Sequence, residues 1–187
     1  MIDGQALRLA LDLFHIPSRV RMLRAERLPA DLTLLLRIAA GDEGALAHGA
    51  HIADRPGDIV RKAATFFIEQ VLLCPEADSY RVLGTTSTAS YSELRQHMAL
   101  LMKWLHPDGD PDLERSLFIS RITGAWDDLK TPERRAAYDR THKFIPQSQQ
   151  RRVRRSRMTP LARQPSPKGH AGFLRRAMHF LFRGVRP

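Results

Sequence analysis

Cysteine is nearly absent from this chain. One Cys, Cys74, in 187 residues cannot form an internal disulfide, which excludes a disulfide-stapled secreted scaffold and suits a reducing compartment. Long apolar runs are missing too, none approaching the roughly 18 residues that span a bilayer. Asp3, Arg8 and Asp12 interrupt the one apolar stretch that could read as a signal peptide, so none is expected. The chain has no glycine-rich phosphate loop and no hydrolase nucleophile elbow, so a non-enzyme without catalytic residues or cofactor is expected. Acidic residues are absent from residues 142–187, which hold 12 Lys and Arg. Residues 1–141 carry 18 Lys and Arg against 20 Asp and Glu, a net charge of −2. The formal charge of +10 therefore belongs to an appendage and not to the body.

What is present is helical periodicity, with no convincing strand. Leu7, Ala10, Leu11 and Phe14 share one face of a first helix that ends before Pro17. After the arginine-rich stretch Arg19–Arg27, Pro29 and Asp31 open a second helix carrying Leu32, Leu35, Leu36 and Ala39, stopped by Gly41. An alanine-rich helix runs on from Asp42 to about Ala53. Pro56 then leads a helix with Ile59, Ala63, Phe66, Phe67, Val71 and Leu72 on its apolar face, ended by Cys74-Pro75. Residues 1–75 thus read as a small helical unit, marginal alone, that packs on the C-terminal part of the chain. No function is legible in it.

Residues 78–141 read as a second unit. Ser90-Tyr91-Ser92-Glu93 has capping-box spacing, and Leu94, Met98, Leu101 and Leu105 then make an apolar stripe along one long helix. Pro107 ends it, since proline disfavours helical geometry at His106. Asp110-Pro111 opens the next helix, carrying Leu113, Leu117, Phe118, Ile122, Ala125 and Leu129, and Thr131-Pro132-Glu133 starts a last short one ending near Tyr138. Two antiparallel helices joined by a short polar turn form a helical hairpin.

These residues resemble a known family. Tyr80-Arg81-Val82-Leu83-Gly84, the long helix, His106-Pro107-Asp108, Ala125-Trp126-Asp127-Asp128-Leu129 and Arg134-Arg135-Ala136-Ala137-Tyr138-Asp139 match the J-domain of DnaJ-type co-chaperones in order and spacing. The resemblance covers about residues 78–140. It implies a J-domain hairpin with short flanking helices, and with the periodicity of residues 1–75 the fold class is all-α. The basic tail, rich in Pro, Gln and Ser and poor in apolar residues before Gly172, reads by its composition as mostly disordered. The resemblance also implies that the protein binds the ATP-loaded form of a DnaK-type chaperone and stimulates its ATP hydrolysis through His106, Pro107 and Asp108, with Arg95 and Lys103 on the contacting helix. Proline stiffens the turn, and the Asp108 carboxylate can accept a charge-assisted bond from a partner arginine.

The long helix departs from the family pattern. Gln96, Ala99, Leu100 and Trp104 stand where Lys or Arg is usual, with Lys103 and His97 as polar neighbours that compensate in part. Fewer charges weaken electrostatic steering more than the fold. Alternatively, Ala99, Leu100 and Trp104 dock the N-terminal unit. Residues 1–75 show neither the Gly/Phe-rich linker nor the zinc-binding Cys repeats of full-length DnaJ-type proteins, and the client and oligomeric state carry no signature.

The tail, residues 142–187, has an arginine cluster (Arg151, Arg152, Arg154, Arg155 and Arg157) and, over 172–184, an amphipathic pattern. There Arg175, Arg176, His179 and Arg183 oppose Phe173, Leu174, Ala177, Met178 and Leu181. This reads as an interfacial anchor for an anionic membrane, as a helix docked on the body, or as a nucleic-acid contact. The lack of aromatics over 147–172 argues against single-strand recognition by stacking, and the alternative function is a nucleic-acid- or membrane-binding adaptor that uses a degenerate J-like hairpin as a scaffold without ATPase stimulation. A cytoplasmic protein, peripheral on the inner membrane face, is the expected location. Asp108-x-Asp110-x-Asp112 lacks the glycine and glutamate of a calcium loop, and His48 with His51 lack a third ligand, so no metal is expected.

Overall fold

The computed structural model describes residues 4–105 and 113–143, which lie within one unit, Met1–Phe144. The described residues are all-α, with no strand among them. In chain order the helices are α1 (Gln5–His15), α2 (Val20–Leu23, continuing a 3₁₀ turn Pro17–Arg19), α3 (Leu32–Ala39), α4 (Glu43–Ala53), α5 (Gly57–Phe67), α6 (Ser79–Val82), α7 (Tyr91–Leu105), α8 (Leu113–Leu129) and α9 (Pro132–Lys143). The last turn of α5 widens into a π turn, Ile68–Leu72.

Each N-terminal helix forms for a local reason. Ala6, Leu7, Ala10, Leu11 and Leu13 supply the buried stripe of α1. The Asp42 carboxylate accepts the Ala45 amide at 2.9 Å and caps α4. Asp31, read from sequence as opening α3, gives that helix no side-chain cap. Its carboxylate reaches across the fold to the Gly4 amide (2.8 Å) and the Ala6 amide (3.0 Å), so its charge sits at the first turn of α1. Along α5 the buried line is Val60, Ala63, Ala64, Phe67 and Ile68, while Ile59 and Phe66 are half-buried.

The N-terminal helices and the C-terminal hairpin share one apolar core, from Leu7, Leu35 and Val60 to Leu94, Leu101 and Ile122. Gly84 marks the seam. Its φ of +64° suits glycine, and a Cβ there would stand 3.4 Å from Leu72 Cδ1, 3.6 Å from Leu32 Cδ1 and 3.6 Å from His97 Nδ1. Polar ties cross the same seam: Arg121 donates to the Leu73 carbonyl (2.9 Å), and the Arg81 guanidinium donates to the Glu26 carbonyl.

The C-terminal helices differ in two respects from their periodicity. Helix α9 runs to Lys143, past the expected end near Tyr138, because Ala136, Ala137, Arg140 and Thr141 continue the helix without a breaker. On α8, Leu113 and Leu117 are 78% and 56% exposed. Nine residues at 3.6 per turn place Leu113 half a rotation from Ile122, so the buried face of α8 is Ile122, Ala125 and Leu129, with Phe118 and Trp126 half-buried against the core.

Candidate functional site: the α7–α8 hairpin

Helix α7 begins where Ser90 Oγ accepts the Glu93 amide at 3.1 Å, the first half of the expected capping box. Its partner α8 runs antiparallel. Tyr91, at the start of α7, meets Trp126 late in α8 with ring centroids 5.9 Å apart, and Trp104, at the other end, meets Phe118 at 6.2 Å. Leu94, Leu101 and Leu105 fill the seam. The hairpin's turn, with His106, Pro107 and Asp108, lies outside the described residues, as do Asp110 and Pro111.

The outer face of α7 is Arg95, Gln96, Ala99 and Lys103, all exposed. Arg95, Ala99 and Lys103 recur every four residues, so the two cations stand on one line about 12 Å apart. Neither forms an ion pair among the described residues. Leu100 and Trp104 are half-buried against the core.

His97 is not on that face. It is 2% exposed, with Nδ1 3.1 Å from the Leu83 carbonyl and Nε2 2.8 Å from the Thr33 hydroxyl on α3. A carbonyl only accepts, so Nδ1 carries the proton and Nε2 accepts from Thr33. Burial is the main cause of a pKa held below the ordinary 6.5, against the opposing pull of the Leu83 carbonyl and the Glu93 charge. The expectation that His97 compensates for missing basic charge therefore fails.

Helix α9 ties the hairpin to α6 and the loop between α6 and α7. Arg135 donates Nη1 to the Ala89 carbonyl (2.8 Å), Nη2 to the Ser87 carbonyl (2.8 Å) and Nε to the Tyr80 hydroxyl (3.0 Å). Its guanidinium carbon also lies 5.4 Å from the Tyr80 ring centroid. The Tyr80 hydroxyl donates to Asp139 (2.8 Å), and the Tyr138 hydroxyl accepts the Ser79 amide (2.8 Å). Burial pushes both phenol pKa values up, which keeps them protonated. The Arg134–Asp139 motif thus has a structural use in Arg135, Tyr138 and Asp139, one that the motif's sequence does not itself reveal.

On the opposite flank of α8, Glu69 in the π turn faces Glu114 and Arg115. Burial first, then the Glu114 charge, raises its pKa to about 7. Among the described residues no group of three His, Cys, Asp or Glu is placed to hold a metal ion, and no helix is long and apolar enough to cross a membrane. His48 and His51 are exposed on α4, and Cys74 is buried. The tail arginines Arg151, Arg152, Arg154, Arg155, Arg157, Arg175, Arg176 and Arg183 lie outside the described residues.

A short helix, a loop pinned by an arginine, an antiparallel helical pair and a closing helix define a compact hairpin module. Residues 78–139 match the family model of the DnaJ domain. The chain is 39% identical over 75 residues to the "Chaperone protein DnaJ" of Rickettsia akari (strain Hartford), covering 40% of this chain and 20% of that protein. It is 41% identical over 66 residues to that of Allorhizobium ampelinum, covering 35% and 17%. With the one from Leifsonia xyli subsp. xyli it shares 38% over 64 residues, covering 34% and 17%. The chain spans about a fifth of the length of the curated relatives it matches. No solved structure matches it at a significant level. The chain carries a DnaJ domain at residues 78–139.

Proposed function

We propose that the protein is a J-domain co-chaperone that binds the ATP-loaded form of a DnaK-type chaperone and stimulates its ATP hydrolysis through His106, Pro107 and Asp108. The DnaJ-domain match, with this tripeptide between two antiparallel helices, carries the reading. Arg95 and Lys103 supply the cationic contact on α7. Because Leu100, Trp104 and His97 are turned into the fold, that contact is narrow and electrostatic steering is weak. The basic tail holds the protein at an anionic membrane surface through Arg151–Arg157 and Arg175–Arg183, each arginine near the lipid contributing about 1 kcal/mol.

Surface-captured, ATP-loaded chaperone tests the first part. The full chain should bind it, and Arg95→Glu/Lys103→Glu should lower the association rate severalfold at low salt. No binding, or an unaltered rate in the double variant, rejects the contact. For the tail, co-sedimentation with acidic vesicles should be lost when residues 150–187 are deleted, and unchanged binding rejects the tether.

A further inference from the structure

We propose that the turn spanning residues 16–27 is a second lipid-contact surface, on the folded body, which docks against anionic headgroups. The inference rests on the membrane reading of the tail, which brings the chain to a bilayer, and adds which face of the body meets it.

The turn is anchored from inside. Leu23 is buried, Val20 packs against the core, and the Arg24 Nε donates to the Gln70 carbonyl at 2.7 Å. Between these anchors Ile16, Arg19, Arg21 and Met22 are left exposed, and Arg27 is exposed past the end of α2. Ile16 and Met22 are 47% and 49% exposed, two of the few large apolar side chains left open to solvent among the described residues. Arg19, Arg21 and Arg27 are exposed, and none forms an ion pair among the described residues. Four arginines and one glutamate fall within these twelve residues, in a body of net charge −2. The turn therefore carries +3 within a body whose net charge is −2.

Aliphatic side chains interleaved with unpaired guanidinium groups suit an interface that is apolar a few ångströms below an anionic layer. A nucleic acid would leave Ile16 and Met22 without a role, and no Phe, Tyr or Trp occurs between residues 15 and 30 to stack on bases. A stable protein interface takes about 20–30 residues a side, more than this turn offers. Lipid insertion needs no complementary pocket. Two anchors, the tail and this turn, would fix the orientation of the DnaJ domain on the surface as well as its presence there.

The test uses the full chain carrying Met22→Cys labelled with a bimane fluorophore, Cys74 being buried, and vesicles of phosphatidylglycerol with brominated phosphatidylcholine. Bimane at position 22 should be quenched on binding, severalfold more than at Ala137→Cys on α9. Arg19→Glu/Arg21→Glu should weaken vesicle affinity roughly tenfold or more with an unchanged melting temperature. A chain that binds vesicles with position 22 unquenched overturns the proposal and leaves the tail tether standing. A full chain that does not bind vesicles overturns both. If the charge reversal leaves vesicle affinity unchanged and instead weakens binding to polyuridylate, or alters the mass of the protein in solution, the surface belongs to a nucleic acid or to a second copy, and the lipid assignment is wrong.

Discussion

The Thr33 hydroxyl on α3 and the His97 Nε2 on α7 lie 2.8 Å apart, joining residues 64 positions distant in sequence across the seam between the N-terminal helices and the DnaJ domain. The other ring nitrogen meets the Leu83 carbonyl, so one imidazole ties α3, α7 and the chain just before Gly84. Thr33→Val keeps the shape and removes the donor, leaving Nε2 buried and unpaired. The expected loss is about 1–3 kcal/mol, read from urea unfolding as a lower midpoint in one cooperative transition. A variant as stable as the parent would show that the bond contributes nothing.

Acidity acts on the same residue. His97 is held below its ordinary pKa of 6.5, chiefly by burial, so the folded state favours the neutral ring. The stability this confers is complete above 6.5 and is lost as the pH falls below 6.5 through the lower folded-state value. His97→Asn, whose amide can still donate to Leu83, should show a flatter loss of stability below pH 6.5 than the parent. Parallel pH profiles for the two would contradict the assignment.

Glu69 runs the other way. A carboxyl raised from 4.5 to about 7 contributes stability below 4.5 that is lost as the pH rises toward 7. Glu69→Gln should therefore gain over the parent with rising pH, reaching about 3 kcal/mol near neutrality if the whole shift is realised. Chemical denaturation at pH 5 and pH 7.5 gives the difference directly, and an equal effect at both pH values would count against it.

Arg135 holds the loop before α7 by donating to two carbonyls and a phenol. Lysine cannot reproduce that fork. Arg135→Lys should cost about 1–3 kcal/mol and raise amide exchange over residues 85–90, whereas unchanged exchange would mean the loop is held by other contacts.

Ala99 stands exposed between Arg95 and Lys103, where the family pattern has a basic residue. Ala99→Lys should raise the association rate with the chaperone severalfold at low salt, with the gain fading at high ionic strength and no change in melting temperature. A rate that does not respond would place the contact elsewhere on the domain.

Local signals were readable in the sequence. Ser90 starts α7, Asp42 caps α4, and the Leu94–Leu101–Leu105 stripe finds the core, because each depends on residues a few positions apart. The family motifs pointed to about residues 78–140, and the DnaJ-domain match spans 78–139. What escaped was long-range. Asp31 serves α1 and not α3, and His97 turns inward to Thr33. The fold also leaves Leu113 and Leu117 uncovered although their residue type suggests burial. Periodicity reports that a face is apolar, and only the packing of distant helices decides whether it is covered.

His106, Pro107 and Asp108 are proposed to drive a chaperone's ATP hydrolysis. Single-turnover hydrolysis by a DnaK-type chaperone, alone, with the full chain, and with His106→Gln, tests it most directly. The parent chain should give a marked acceleration that His106→Gln abolishes without lowering its melting temperature. No acceleration, or equal acceleration by the variant, would contradict it.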